Sequence, residues 1–74
     1  MRSQAVATAG APTLEEIRAW PATVNVPRAC TAFGISKSHG YELARSGEFP
    51  ARVIRVGGNY RVVTASIVAA LEQA

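Results

Sequence analysis

Between Ile35 and Gly47 the chain spells out a helix together with both of its ends. Ser36 stands where an N-cap is needed, since its hydroxyl can accept one of the N–H groups that a first helical turn leaves without a partner. Gly47 stands where the helix must stop, because the residue after a helix often takes a positive φ that glycine adopts at no steric cost. Just upstream, the run Asn25-Val26-Pro27-Arg28-Ala29-Cys30-Thr31-Ala32-Phe33 predicts another short helix, entered at Asn25 or Val26, with Pro27 in its first turn. Gly34 marks a tight turn between the two.

Two short helices joined in this way outline a helix-turn-helix, and the second has the size that enters a DNA major groove. At about 100° per residue, Lys37, Ser38, Tyr41 and Arg45 fall on one side of it, with Glu42 at the margin. Leu43 and Gly40 fall opposite, flanked by His39 and Ala44. One face can therefore pack while the other offers two cations, a hydroxyl and a phenol. Taken alone, the same pattern suits an ordinary amphipathic surface helix equally well.

The next segment shifts that balance. Phe49-Pro50 breaks the chain, and Val53-Ile54-Arg55-Val56 reads as a strand from its β-branched content. Gly57-Gly58-Asn59 is turn chemistry and Tyr60-Arg61-Val62-Val63 a returning strand. A hairpin directly after such a helix is a wing, with Arg52, Arg55 and Arg61 flanking its turn. Alternation puts Ile54 and Val56 on one face and Arg55 on the other, from which Arg55 and Arg61 can reach phosphates beside the groove. Thr64 is expected to cap a last helix from Ala65 to about Glu72, striped with Ile67, Val68 and Leu71.

Charge follows the motif. The net charge is +3, and six of the eight basic residues lie between Arg28 and Arg61, against only Glu42 and Glu48. A basic cluster in a domain this small points to a polyanion, although a charge of this size also serves solubility alone. At 74 residues there is room for one modest core and none for a sizeable enzyme cleft. Residues 1–12 lack apolar periodicity and are expected to form a disordered tail, leaving 13–74 as the domain. No secretory signal or membrane span is expected, which places the chain in the cytoplasm. Thr13 and Glu16 have capping-box spacing and open a short helix reaching Trp20, with Leu14, Ile17 and Trp20 on one face and Pro21 as its stop.

An enzyme is hard to assemble from these residues, and no cofactor or metal is expected. Cys30 is the only cysteine and sits among Ala29, Ala32 and Phe33, where a buried apolar thiol is the simplest reading. His39, the only histidine, borders the packed face, where a partly buried ring or a phosphate contact suits it better than catalysis. The five carboxylates show no paired arrangement, and Gly57-Gly58 is too short for a phosphate loop.

From Val24 to Leu71, about two thirds of the chain, the sequence resembles the excisionase-like branch of the winged helix-turn-helix proteins, related to the DNA-binding domains of MerR-type regulators. The resemblance is carried by FGISKSHGYELARSGEFP, RVIRVGGNYRV and TASIVAAL. It implies a mainly α fold with a small β-hairpin wing, with Lys37, Ser38 and Tyr41 at the major groove, Arg45 on phosphate, and Arg55 and Arg61 on the wing. With Arg28, Ser36 and Asn59 beside them, these make up the expected DNA-binding set. Gly40 departs from the pattern, where a larger apolar residue is usual, and costs the helix roughly 1 kcal/mol against alanine. Glu42 departs too, replacing a common basic residue with one that repels phosphate or accepts from a cytosine amine.

Small members of this branch are recombination directionality factors: they bind repeated sites beside an attachment site, bend the DNA and bias a phage-type integrase toward excision. The implied partners are double-stranded DNA, an integrase, and further copies of the chain bound cooperatively on DNA. A small transcriptional regulator of the same fold is the alternative, although MerR-type regulators normally add a long dimerisation helix not seen here. A third possibility is a protein-interaction module such as an antitoxin or anti-repressor. It calls for an exposed apolar patch, for which only Leu14, Ile17 and Trp20 offer themselves.

Overall fold

The computed structural model describes residues 11–73. The expected tail therefore lies outside the described residues, except for Ala11 and Pro12, which have no regular structure. The elements run α1 (Leu14–Arg18), β1 (Thr23–Asn25), α2 (Val26–Phe33), α3 (Lys37–Ser46), β2 (Val53–Val56), β3 (Asn59–Val63) and α4 (Thr64–Glu72). The result is a small mixed domain, four helices on a three-stranded antiparallel sheet of order β1-β3-β2. Among the described residues no helix is long and apolar enough to cross a membrane.

Most helix ends follow their local chemistry. Thr13 and Glu16 form a complete capping box on α1, Asn25 accepts from Arg28 N–H at 2.9 Å to open α2, and Ser36 accepts from His39 N–H at 3.1 Å to open α3. Gly34 and Gly47 close α2 and α3 in the left-handed region, at φ 71° and 82°. The exception is α4. It begins at Thr64 itself, with Val63 as a cap that makes no side-chain bond. The Thr64 hydroxyl instead donates to the Pro21 carbonyl, and its backbone N–H donates to Ala22 O at 2.9 Å. Thr64 thus ties the start of α4 to the segment leading into β1.

The sheet has one strand more than the expected two-stranded hairpin. β1 pairs with β3 through Thr23–Val63, Val24–Val62 and Asn25–Arg61. β2 pairs with the other edge of β3 through Val53–Val62, Ile54–Arg61, Arg55–Tyr60 and Val56–Asn59. Gly57 and Gly58 both take positive φ, at 57° and 87°, giving the two-residue turn that matches strand twist. Residues directly opposite in an antiparallel sheet share a face. Val24, Val62 and Val53 therefore face the helices, and Tyr60 and Arg55 continue that face toward the turn. Ile54, Val56, Asn59 and Arg61 are on the other face.

The core is closed by residues from every layer. Ile17 of α1, Val24 of β1, Val26, Ala29 and Cys30 of α2, Ala44 of α3, Val62 of β3 and Ile67 of α4 are buried. Phe49 seals the exit from α3, with its ring edge-on to Phe33 at 5.9 Å and 88°. The inward face of α3 is Gly40 and Ala44 with half-buried Leu43, and His39 is exposed rather than partly buried. Gly40 is buried where an added Cβ would meet Cys30 Sγ, so α3 approaches α2 closely there.

Candidate nucleic-acid interface

Three adjoining depressions share their lining residues and connect α3 to the hairpin and to β1. The largest, about 500 Å³, lies between the end of α3 and β2 and is bordered by Arg45, Arg52, Arg55 and Tyr60. Tyr60 joins it to a depression of about 350 Å³ bordered by Tyr41, Gly58, Asn59, Asn25 and Arg61. Asn25 and Arg61 in turn join that one to a smaller depression, about 160 Å³, containing Arg28 and Thr23. The linkage is possible because β1 stops at Asn25, leaving the β3 edge free at Asn59 and Tyr60.

Of the expected site residues, Arg28, Tyr41, Arg45, Arg55, Asn59 and Arg61 border this trough, and Ser36, Lys37 and Ser38 do not. Lys37, Tyr41 and Arg45 repeat every four residues along α3 and are all exposed, so they form one stripe on its outer side. Ser38 is exposed beside them, and Ser36 is held at the helix start by its capping bond. Arg55 on β2 is exposed, and its guanidinium lies over the Tyr60 ring, 5.1 Å from the centroid. Asn59 sits at the hairpin turn. Arg28, on α2, lies over the Trp20 ring at 5.5 Å.

Arg61 is separated from Arg55. Its Nε donates to Thr23 Oγ1 at 3.2 Å and its Nη2 to the Thr23 carbonyl at 3.0 Å, so it lies across β1 rather than at the hairpin turn. Parity explains this: with a two-residue turn, Arg55 is opposite Tyr60, and Arg61 falls on the other face. That much was readable from the sequence. Tyr60 and Arg52 also border the trough without having been singled out as site residues, and the same register would have found Tyr60. Trp20 beneath Arg28 had no sequence signal, because it joins two elements through tertiary packing.

The described residues form no ion pair with the cations of this surface, although Glu42 and Glu48 are exposed on and just after α3. Among the described residues the ion pair is Arg18–Glu72, between α1 and α4 and outside the trough. Arg28 and Arg55 rest on aromatic rings, which hold a cation without cancelling its charge. Cys30 lies beneath α3, and burial pushes its thiol pKa up. No group of histidine, cysteine and carboxylate side chains among the described residues is arranged to hold a metal.

Comparison with protein-family models, with curated proteins and with solved structures finds no match. Any account of function is carried by the residues and their arrangement.

Proposed function

We propose that this chain is a winged helix-turn-helix protein that binds duplex DNA, and that it works as an excisionase directing a phage-type integrase toward excision. The observation that carries the DNA reading is the trough: the exposed stripe of α3 runs beside a hairpin, and Tyr41 and Arg45 of the stripe open onto one continuous surface with Arg52, Arg55 and Arg61. In this reading α3 enters the major groove, with Lys37, Ser38 and Tyr41 toward base edges, while Arg45, Arg52 and Arg55 grip the backbone alongside. Arg55 is the wing contact, held ready by Tyr60. Arg61, lying across β1, serves at the flank of the site. The protein carries out no chemistry itself; it supplies position and DNA shape to an enzyme.

Base-reading and phosphate-gripping residues should part company under mutation. Mobility-shift titrations at two salt concentrations, on native-locus and random duplexes, are the measurement. Lys37→Ala or Tyr41→Ala should erode discrimination between the two, while Arg55→Ala should weaken both about equally and flatten the salt dependence by about one unit of slope. Wild type failing to shift any native-locus DNA at low salt defeats the reading. Specificity lost in the Arg55 variant but kept in the α3 variants reverses the orientation.

A further inference from the structure

The depression at the start of β1 brings together residues that the α3–hairpin reading uses only singly. Arg28 and Arg61, far apart in sequence, both border it, together with Thr23 and Asn25. Each guanidinium is fixed by neutral partners: Arg28 by the Trp20 ring at 5.5 Å, Arg61 by the hydroxyl and carbonyl of Thr23. Among the described residues no carboxylate lines the depression. Glu16 borders the neighbouring depression together with Trp20 and Arg28; its Oε1 accepts from Thr13 N–H at 2.8 Å, and among the described residues it makes no ion pair with Arg28. The first turn of α2 opens at the same place, capped by Asn25, and adds the positive end of its dipole.

Two guanidinium side chains that border one small depression, neither of them in an ion pair among the described residues, offer an anion two sets of donors at one place. Both forks also keep donors to spare. Arg61 spends its Nε–H and one Nη2–H on Thr23, and Arg28 spends none on its aromatic partner. Planar forks of this kind match the tetrahedral oxygens of phosphate.

We propose that Arg28 and Arg61 form a phosphate clamp, with Trp20 as the positioning residue beneath Arg28. Its ligand is a phosphate group. If the DNA reading above holds, on which this choice of source rests, that group is a backbone phosphodiester outside the stretch covered by α3. A free phosphate is the other source of the same chemistry.

Trp20 is the only tryptophan, so its emission reports on the Arg28 stack directly. Two titrations of the full chain, one with inorganic phosphate and one with duplex DNA over a range of salt, test the clamp. DNA should shift Trp20 emission. Arg28→Gln should abolish that shift and flatten the slope of log affinity against log salt by about 1, equally on native-locus and random duplexes. Trp20→Phe should hold wild-type affinity, and Trp20→Leu should lose about two- to fivefold, the scale of an exposed cation–π contact. A response to inorganic phosphate in wild type but not in Arg28→Gln, with an unaltered DNA slope, assigns the clamp to free phosphate. An unaltered slope together with no phosphate response overturns it. If wild type binds no DNA, the proposed function falls, and the phosphate titration still decides the clamp. Arg28 is exposed, and circular dichroism verifies that each variant is folded.

Discussion

Gly40 shows what a single position contributes. From sequence it is a weak spot in α3, costing roughly 1 kcal/mol in helix propensity against alanine. In the fold it is buried, and a Cβ there would fall on Cys30 Sγ and stand 3.2 Å from Val26 Cγ1. The missing side chain is what lets α3 sit down on α2 and present its outer stripe at the right height. Gly40→Ala therefore gains about 1 kcal/mol of propensity and loses about 1–3 kcal/mol to overpacking, with the loss dominant because the sulfur is held in a packed core. Adding Cys30→Ala removes the obstructing atom. In denaturant melts the double variant should be more stable than the two single changes sum to, by about 1 kcal/mol or more. Strict additivity would show that the helices move apart instead. Nothing local to Gly40 announces its partner, so this contact was invisible in the sequence, whereas the capping role of Ser36 was plain because cap and recipient lie three residues apart.

At the scale of elements the same division holds. Thr13, Asn25, Ser36, Gly34 and Gly47 each start or stop a helix through bonds and backbone angles confined to a few neighbours, and all were readable. β1 was not: three residues between Pro21 and Pro27 are too few to show a period, and they become a strand only because the β3 edge offers partners. Thr64 misled for a related reason. It has the residue type of a cap, yet a distant carbonyl, that of Pro21, takes its hydroxyl. Among the caps, Ser36 matters most to the proposed function, since it orders the turn that carries Lys37 and Ser38. Ser36→Ala should cost about 1 kcal/mol, lowering the melting midpoint by about 4–8 °C for a domain of this size, and Ser36→Asp should restore most of it. A midpoint unchanged by Ser36→Ala would mean that the α2–α3 turn is held by its apolar contacts, with Ile35 and Phe33 packed on the core, and not by the cap.

For the whole molecule the deciding quantity is contact area. The chain offers one groove-sized helix, one hairpin and a trough between them, and single modules of this kind bury roughly 600–1,000 Å² on DNA. That is a small area from which to obtain high selectivity, so under the proposed function a lone copy would be a poor director of recombination. Under the proposed function, copies placed side by side on repeated sites would solve this: each would add its own base contacts, and each would contact the backbone through Arg45 and Arg55 at one end of the trough and Arg28 and Arg61 at the other. Basic contacts distributed across the footprint in this way favour DNA that curves toward the protein, since curvature brings flanking phosphates within reach and offsets the bending cost, of order 1–6 kcal/mol for a 20–30 bp site. Circular-permutation gel shifts on the native attachment-site DNA should therefore show discrete complexes of increasing copy number, each more bent than the last. Removing Arg28 and Arg55 together should reduce the bend more than the base-facing Lys37→Ala does at matched occupancy. A single complex on straight DNA would count against the excisionase role and favour a small transcriptional regulator, which needs occupancy of its site but no change in its path.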